Sequence, residues 1–175
     1  NKLSPPQLIA LTFAATILVG GILLWLPLMH EPGKSVTFIQ ALFMAASCVC
    51  VTGLAVVDPA STFNLAGELV MLLLIQVGGL GIITLGTLIA LAFRRRVGVA
   101  EKIRAAQQVS AVDLGSTVSL VKVVVFSSLL IELMGAIFLS FVFVPKEGWE
   151  KGLYFSVFHA VSAFNNAGFA LYPDN

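Results

Sequence analysis

Charge is what this sequence has least of. Of its 175 residues, 11% are Asp, Glu, Lys or Arg, against about 25% in an ordinary soluble domain. Ten Lys+Arg against nine Asp+Glu leave a net charge of +1, so no field of one sign draws nucleic acid or acidic substrates. Cysteine is nearly absent: Cys48 and Cys50 stand two apart in an apolar stretch, which is neither a disulfide framework nor a zinc pattern. No Ser-His-Asp or metal-ligand constellation appears, so an enzyme or a resident cofactor has no groups to work with. What is abundant is apolar surface, 58% of residues, with a mean hydropathy of +1.00. That balance excludes a soluble globule and predicts an all-α integral membrane protein.

Three stretches are long enough to cross a hydrocarbon core of about 30 Å, which takes about 20 helical residues. Residues 8–29 and 69–93 carry no charge, and residues 123–144 hold a single acid, Glu132. Ser4-Pro5-Pro6-Gln7 reads as a helix start, with a Ser cap, Pro at the first position and Gln three residues on. Residues 8–29 are too long for the apolar core of a cleaved signal, about 7–15 residues. Lys2, Arg94, Arg95, Arg96, Lys102 and Arg104 flank one side of these spans, and only Lys34, Lys146 and Lys151 the other. The excess of basic residues predicts a multi-pass protein of the cell membrane with a cytoplasmic N-terminus.

Two further apolar pieces, residues 36–47 and 152–163, are about 12 residues each, or about 18 Å if helical. Segments of that size re-enter a membrane rather than cross it. Non-helical backbone at membrane depth is tolerated only beside a water-filled cavity or buried in protein, so two such segments point to a pore. The chain also repeats itself. A shift of 115 residues aligns the segment from Phe38 with that from Leu153, matching Phe43/Phe158, Ala45/Ala160, Ser47/Ser162, Gly53/Gly168 and Ala55/Ala170. The repeating unit is span, half-helix, glycine-bearing loop, span. The expected organisation is a first unit over residues 1–93, a cytoplasmic connector over 94–115, and an incomplete second unit over 116–175.

In the first loop Cys50-Val51-Thr52-Gly53 offers consecutive backbone carbonyls, with Gly53 free to adopt what a β-carbon would oppose. In the second, Asn165-Asn166-Ala167-Gly168 holds the matching place, a turn-forming run that gains meaning from its position in the repeat. The partially negative C-terminal end of each half-helix favours a cation beside these loops. A cation loses its water only inside a ring of carbonyls. One and a half units supply part of a ring, so the chain is expected to belong to something larger, as its opening on Asn rather than Met also suggests. Cys48 and Cys50 read as small packing residues, and His159 as a packed, hydrogen-bonded side chain. Gly78-Gly79-Leu80-Gly81 lies within an apolar helix with no preceding strand, so it is not a nucleotide loop. Small residues there allow close helix packing, with Gly79 and Gly86 on one face. Glu132, costly in lipid, must face protein or water, while Lys122 can reach the interface.

These residues resemble a known family. Ser47-x-x-x-Val51-Thr52-Gly53-Leu54 is similar to the first filter of the Trk/Ktr/HKT superfamily of potassium transporters, and Phe164-Asn165-Asn166-Ala167-Gly168-Phe169 to its second. Gln76-Val77-Gly78-Gly79-Leu80-Gly81 resembles the glycine-rich closing span of the family's first unit. The Lys122…Ile131-Glu132-Leu133 region resembles the next span, and the early first span is like KtrB-like members. The resemblance implies four units around one K⁺ pore, with about half of the protein beyond this chain. It implies filter residues Cys50, Val51, Thr52, Gly53, Asn165, Asn166, Ala167 and Gly168, with K⁺ held by backbone carbonyls alone. It also implies a homodimer in lipid on a cytosolic KtrA-like ring that carries the nucleotide, with Lys102 and Arg104 as candidate docking residues. A sodium-conducting or sodium-coupled member, or a non-conducting assembly subunit, is the alternative.

Overall fold

The computed structural model describes residues 5–94 and 114–172, and every extended element among them is helical. In chain order these are α1 (Pro5–Trp25), a 3₁₀ turn (Pro27–Met29), α2 (Phe38–Val49), the single turn α3 (Pro59–Thr62), α4 (Leu65–Arg94), α5 (Leu114–Glu147) and α6 (Trp149–Phe164). Among the described residues, two stretches are long and apolar enough to cross a membrane, Leu65–Ile82 in α4 and Val121–Glu147 in α5. The protein is an all-α membrane protein.

The expected span 8–29 is shorter as a helix, because α1 gives way after Trp25 to the 3₁₀ turn. Pro27 has no amide proton to continue the α-helical ladder, and its ring crowds the carbonyl four residues back. The 21 residues of α1 still rise about 31 Å. The two half-helices are present with shifted ends. The 12 residues of α2 and the 16 of α6 rise about 18 and 24 Å, short of the hydrocarbon core.

Local chemistry fixes these starts. Thr37 caps α2: its hydroxyl accepts from Gln40 N–H at 3.3 Å while Gln40 Oε1 accepts from Thr37 N–H at 2.9 Å, a reciprocal capping box. Asn64 caps α4 through Oδ1, which accepts from Ala66 and Gly67 N–H, and its side-chain amide donates to the carbonyls of Leu28 and His30. That one side chain therefore ties the 3₁₀ turn that follows α1 to the start of α4. Between α5 and α6 the chain reverses at Gly148, whose φ of 85° lies in the left-handed region that a β-carbon disfavours. The reversal brings Gly152 against the backbone of Val144, 2.6 Å from where a β-carbon would stand.

The chain divides into two compact units. The first comprises Asn1–Gly79 with Ile131–Asn175, and the second comprises Leu80–Leu130. In the second, the described residues continue α4 and form the N-terminal half of α5. In the first, α1 lies on α2 through Gly21, which admits Leu42, and on α4 through Gly20, which admits Leu74. Leu24, Met44, Cys48, Phe63, Met71, Ile75 and Phe158 form its fully buried centre. The short helices thus meet the inner faces of α1 and α4 in this core, whereas Leu18, Val19, Ile22, Phe138 and Phe141 of the long helices stay exposed. A protein in water would invert that arrangement; a bilayer requires it.

Candidate functional site

Each short helix ends in the same backbone figure. At the end of α2, Cys50 keeps helical angles (φ −86°, ψ −1°), Val51 turns to φ 56° and Gly53 to 71°. At the end of α6, Asn165 keeps helical angles (φ −76°, ψ −2°), Asn166 turns to φ 59° and Gly168 to 75°. The hydrogen bonds match in register. Cys50, Val51 and Thr52 N–H donate to the carbonyls of Ala46, Cys48 and Ser47, and Asn165, Asn166 and Ala167 N–H to those of Val161, Ala163 and Ser162. This is a Schellman stop, in which a left-handed residue turns the chain back so that its amides meet the last helical carbonyls.

The locks around this figure differ. In the first loop, Ser47 Oγ and Thr52 Oγ1 are 2.9 Å apart and hydrogen-bonded. In the second, Ser162 Oγ donates to the Phe169 carbonyl at 2.7 Å. Val51 is a β-branched residue in the left-handed region, a strained state worth about 1–3 kcal/mol. Asn166, at the matching position, adopts that region more readily.

The loops face each other at their glycines. A β-carbon on Gly53 would stand 2.5 Å from the Ala167 carbonyl oxygen and 3.4 Å from Gly168 Cα. A β-carbon on Gly168 would stand 3.6 Å from Gly53 Cα. Behind them, α4 presents two adjacent glycines. A side chain on Gly78 would run into the Val49 carbonyl, and one on Gly79 into the side chain of Asn165. Successive helical residues point about 100° apart, so this pair seats the ends of both short helices on one turn of α4.

A polar cluster lies beneath the second loop. Glu132, in mid-span and 5% exposed, accepts through Oε1 from Gln76 Nε2 at 3.0 Å and from Asn165 Nδ2 at 3.1 Å. A carboxylate in hydrocarbon costs about 2.5–3.5 kcal/mol on insertion scales, and the two amides return much of its lost hydration.

The family model for TrkH, described as a cation transport protein, matches residues 9–175. The chain belongs to this family. It is 44% identical over 174 residues to the Ktr system potassium uptake protein B of Bacillus subtilis (strain 168), covering 99% of this chain and 39% of that protein. It is 40% identical over 175 residues to the potassium/sodium uptake protein NtpJ of Enterococcus hirae, covering 100% and 39%. Against the Ktr system potassium uptake protein B of Vibrio alginolyticus it is 39% identical over 170 residues, covering 97% and 37%. The chain thus spans about two fifths of the length of these TrkH-family relatives.

The eight expected loop residues lie on two facing turns, with Cys50, Thr52, Asn166 and Gly168 exposed and Asn165 and Ala167 buried. Lys102 and Arg104, with Arg95 and Arg96, fall outside the described residues. Cys48 is buried and Cys50 exposed, and both are free thiols. His159 packs among Phe143, Phe155 and Tyr172. Its Nε2 accepts from Leu171 N–H at 3.3 Å, so its Nδ1–H donates to the Phe155 carbonyl at 2.7 Å. Glu132 has the polar surrounding that its depth requires, with Gln76 as a partner that the sequence does not single out. The available signal was one amide in an otherwise apolar span. Also unread was the bond from Tyr154 Oη to Glu68 Oε2, 2.7 Å long, which ties α6 to the start of α4.

The glycine pair generates a test. Gly78→Ala must displace backbone and Gly79→Ala a tethered side chain, so both variants of the full-length protein should melt lower in detergent. Overpacking of this kind costs about 1–3 kcal/mol, and Gly78→Ala should cost the more. Unchanged melting of both would show that the half-helices do not seat on this turn.

Proposed function

We propose that this chain is the N-terminal part of a KtrB-like potassium uptake subunit, and that its two loops form part of a K⁺ filter. Backbone carbonyls of residues 50–53 and 165–168 replace the hydration shell of the ion. Residues 1–93 are one span, half-helix, loop, span unit; residues 94–115 are a cytoplasmic connector; residues 116–175 open a second unit. The observation that carries this reading is the repeated loop backbone, two left-handed positions in each turn at a spacing of 115 residues. A turn that only reversed the chain would not need its unusual angles duplicated. The remaining units, a homodimeric partner, and a cytosolic KtrA-like ring holding the nucleotide complete the proposed assembly in the cell membrane, with the N-terminus cytoplasmic.

A sodium-conducting variant of this mechanism is the second reading, favoured by the likeness to a relative named for potassium and sodium uptake. Ion flux through the reconstituted full-length protein tests both. K⁺ flux far above Na⁺ flux supports the first reading, comparable fluxes the second, and no cation flux at all leaves an assembly subunit.

Three variants follow. Gly53→Ser should lower the K⁺/Na⁺ flux ratio and K⁺-limited growth at equal expression, since its side chain would meet the facing Ala167 carbonyl and bring a hydroxyl ligand. An unchanged ratio removes Gly53 from the filter. Gly168→Asp should insert normally yet lose most flux, because a carboxylate among carbonyls holds a cation too tightly or distorts a turn at φ 75°. Normal flux and selectivity would break the equivalence of the two loops. Lastly, Lys102→Gln with Arg104→Gln, leaving Arg94–Arg96 intact, should preserve insertion and dimer formation while weakening co-purification with the cytosolic ring. Wild-type affinity for the ring at every salt concentration would leave these two residues as headgroup contacts, each worth about 1 kcal/mol.

A further inference from the structure

The two loops share a backbone but not a means of holding it. The first is locked by its own side chains, through the Ser47–Thr52 hydroxyl pair. Its helix-ending residue, Cys50, is exposed. The second ends on Asn165, which is 7% exposed and turned inward. Its Nδ2 lies 3.1 Å from Glu132 Oε1, 2.9 Å from the Val161 carbonyl and 3.4 Å from Gln76 Oε1. An amide nitrogen carries two protons, so three acceptors converge on one donor group and define which way it faces. Turned over, the amide would set its oxygen against the carboxylate of Glu132. Its own oxygen, Oδ1, is buried with no hydrogen-bond partner and lies against Gly79. The Asn165 side chain is therefore held by its amide nitrogen alone, to Val161 of its own helix and to Glu132 and Gln76 of two other helices.

We propose that Glu132 is a positioning residue for ion selection, fixing the second loop through Asn165 with Gln76 as a brace. The inference rests on the reading of both loops as parts of a cation filter. Asn165 is the last residue with helical angles before Asn166 turns left-handed. A rotation at Asn165 therefore carries the carbonyls of Asn166 and Ala167 with it. Selection by carbonyls depends on the size and field of the cage they form. A hydrogen bond one residue before the cage thus acts on selectivity without touching the ion. The role belongs to the acceptor oxygen rather than to the negative charge, which distinguishes it from simple electrostatic attraction of cations.

The test uses the full-length protein in liposomes and reads K⁺ and Na⁺ fluxes alongside melting temperature. Glu132→Gln keeps an oxygen that can turn to both amides, and its flux ratio should stay within about twofold of wild type. Glu132→Leu leaves Asn165 and Gln76 without that acceptor, and the ratio should fall by about fivefold or more. Gln76→Leu removes only the brace and should give an intermediate loss. In an Asn165→Ala background, Glu132→Leu should add no further loss, because both substitutions cut one connection. An additive loss would overturn the proposal, as would a Gln variant as unselective as Leu. If Glu132→Leu does not fold, Gln76→Leu decides, and a wild-type ratio there overturns it. Gly53→Ser is the control for the underlying reading. A shifted ratio in that variant with wild-type ratios in the Glu132 and Gln76 series sinks the positioning role alone. Wild-type ratios in all of them sink the filter reading as well.

Discussion

A helix that ends inside a membrane must dispose of its last carbonyls, and that requirement organises this molecule. Up to four C=O groups lack intrahelical partners at any helix end, and hydrocarbon supplies none. Here α2 and α6 each stop in the core, and each recovers amide partners by turning its chain left-handed. The turn supplies amide donors to the late helical carbonyls of Ala46, Ser47 and Cys48, and of Val161, Ser162 and Ala163. Everything nearby serves that arrangement: the paired glycines of α4 that admit both ends, the facing glycines of the loops, and the buried serines at matching positions.

The two stops show two solutions to one backbone problem. Asn166 suits the left-handed region and is exposed, so its turn costs little, but the preceding Asn165 brings a buried amide that needs acceptors at membrane depth. Val51 carries the strain itself, about 1–3 kcal/mol, and must be held by packing and by the Ser47–Thr52 pair. Strain of this kind persists only where the surroundings over-determine it. The burial of Cys48 and Val49 immediately before the turn provides that constraint, and Gly78 lets it approach closely.

Much of this was legible in the residues, and what was not has identifiable causes. Apolar length gave the long helices and the two short ones because hydrophobic runs translate directly into rise. The end of α1 at Trp25 was also available from Pro27, but hydropathy alone carried the span through to Met29. The glycine at each loop marked a special angle, and the repeat paired Gly53 with Gly168. The second left-handed position in each loop, Val51 and Asn166, was hidden, since a valine gives no hint of that conformation. The small residues of α4 do allow close packing, with the Asn165 side chain at Gly79 and the Val49 carbonyl at the adjacent Gly78. A periodicity argument looks along one helix face, whereas the two seats here lie on neighbouring faces because two half-helices arrive from different directions.

The same geometry explains why α4 matters more than its length suggests. One turn of this helix contacts the end of α2 through Gly78, the end of α6 through Gly79, and Glu132 of α5 through Gln76. Three elements distant in sequence therefore meet three residues that are consecutive or nearly so. Such a turn is hard to alter, since a β-carbon on Gly78 would meet the Val49 backbone and one on Gly79 the Asn165 side chain. Close packing makes interiors transmit displacement rather than absorb it. A shift of this turn would reach both loops together, whereas a shift of α1, which contacts α2 through Gly21 and α4 through Gly20, would reach the first loop through α2 and the second by way of α4.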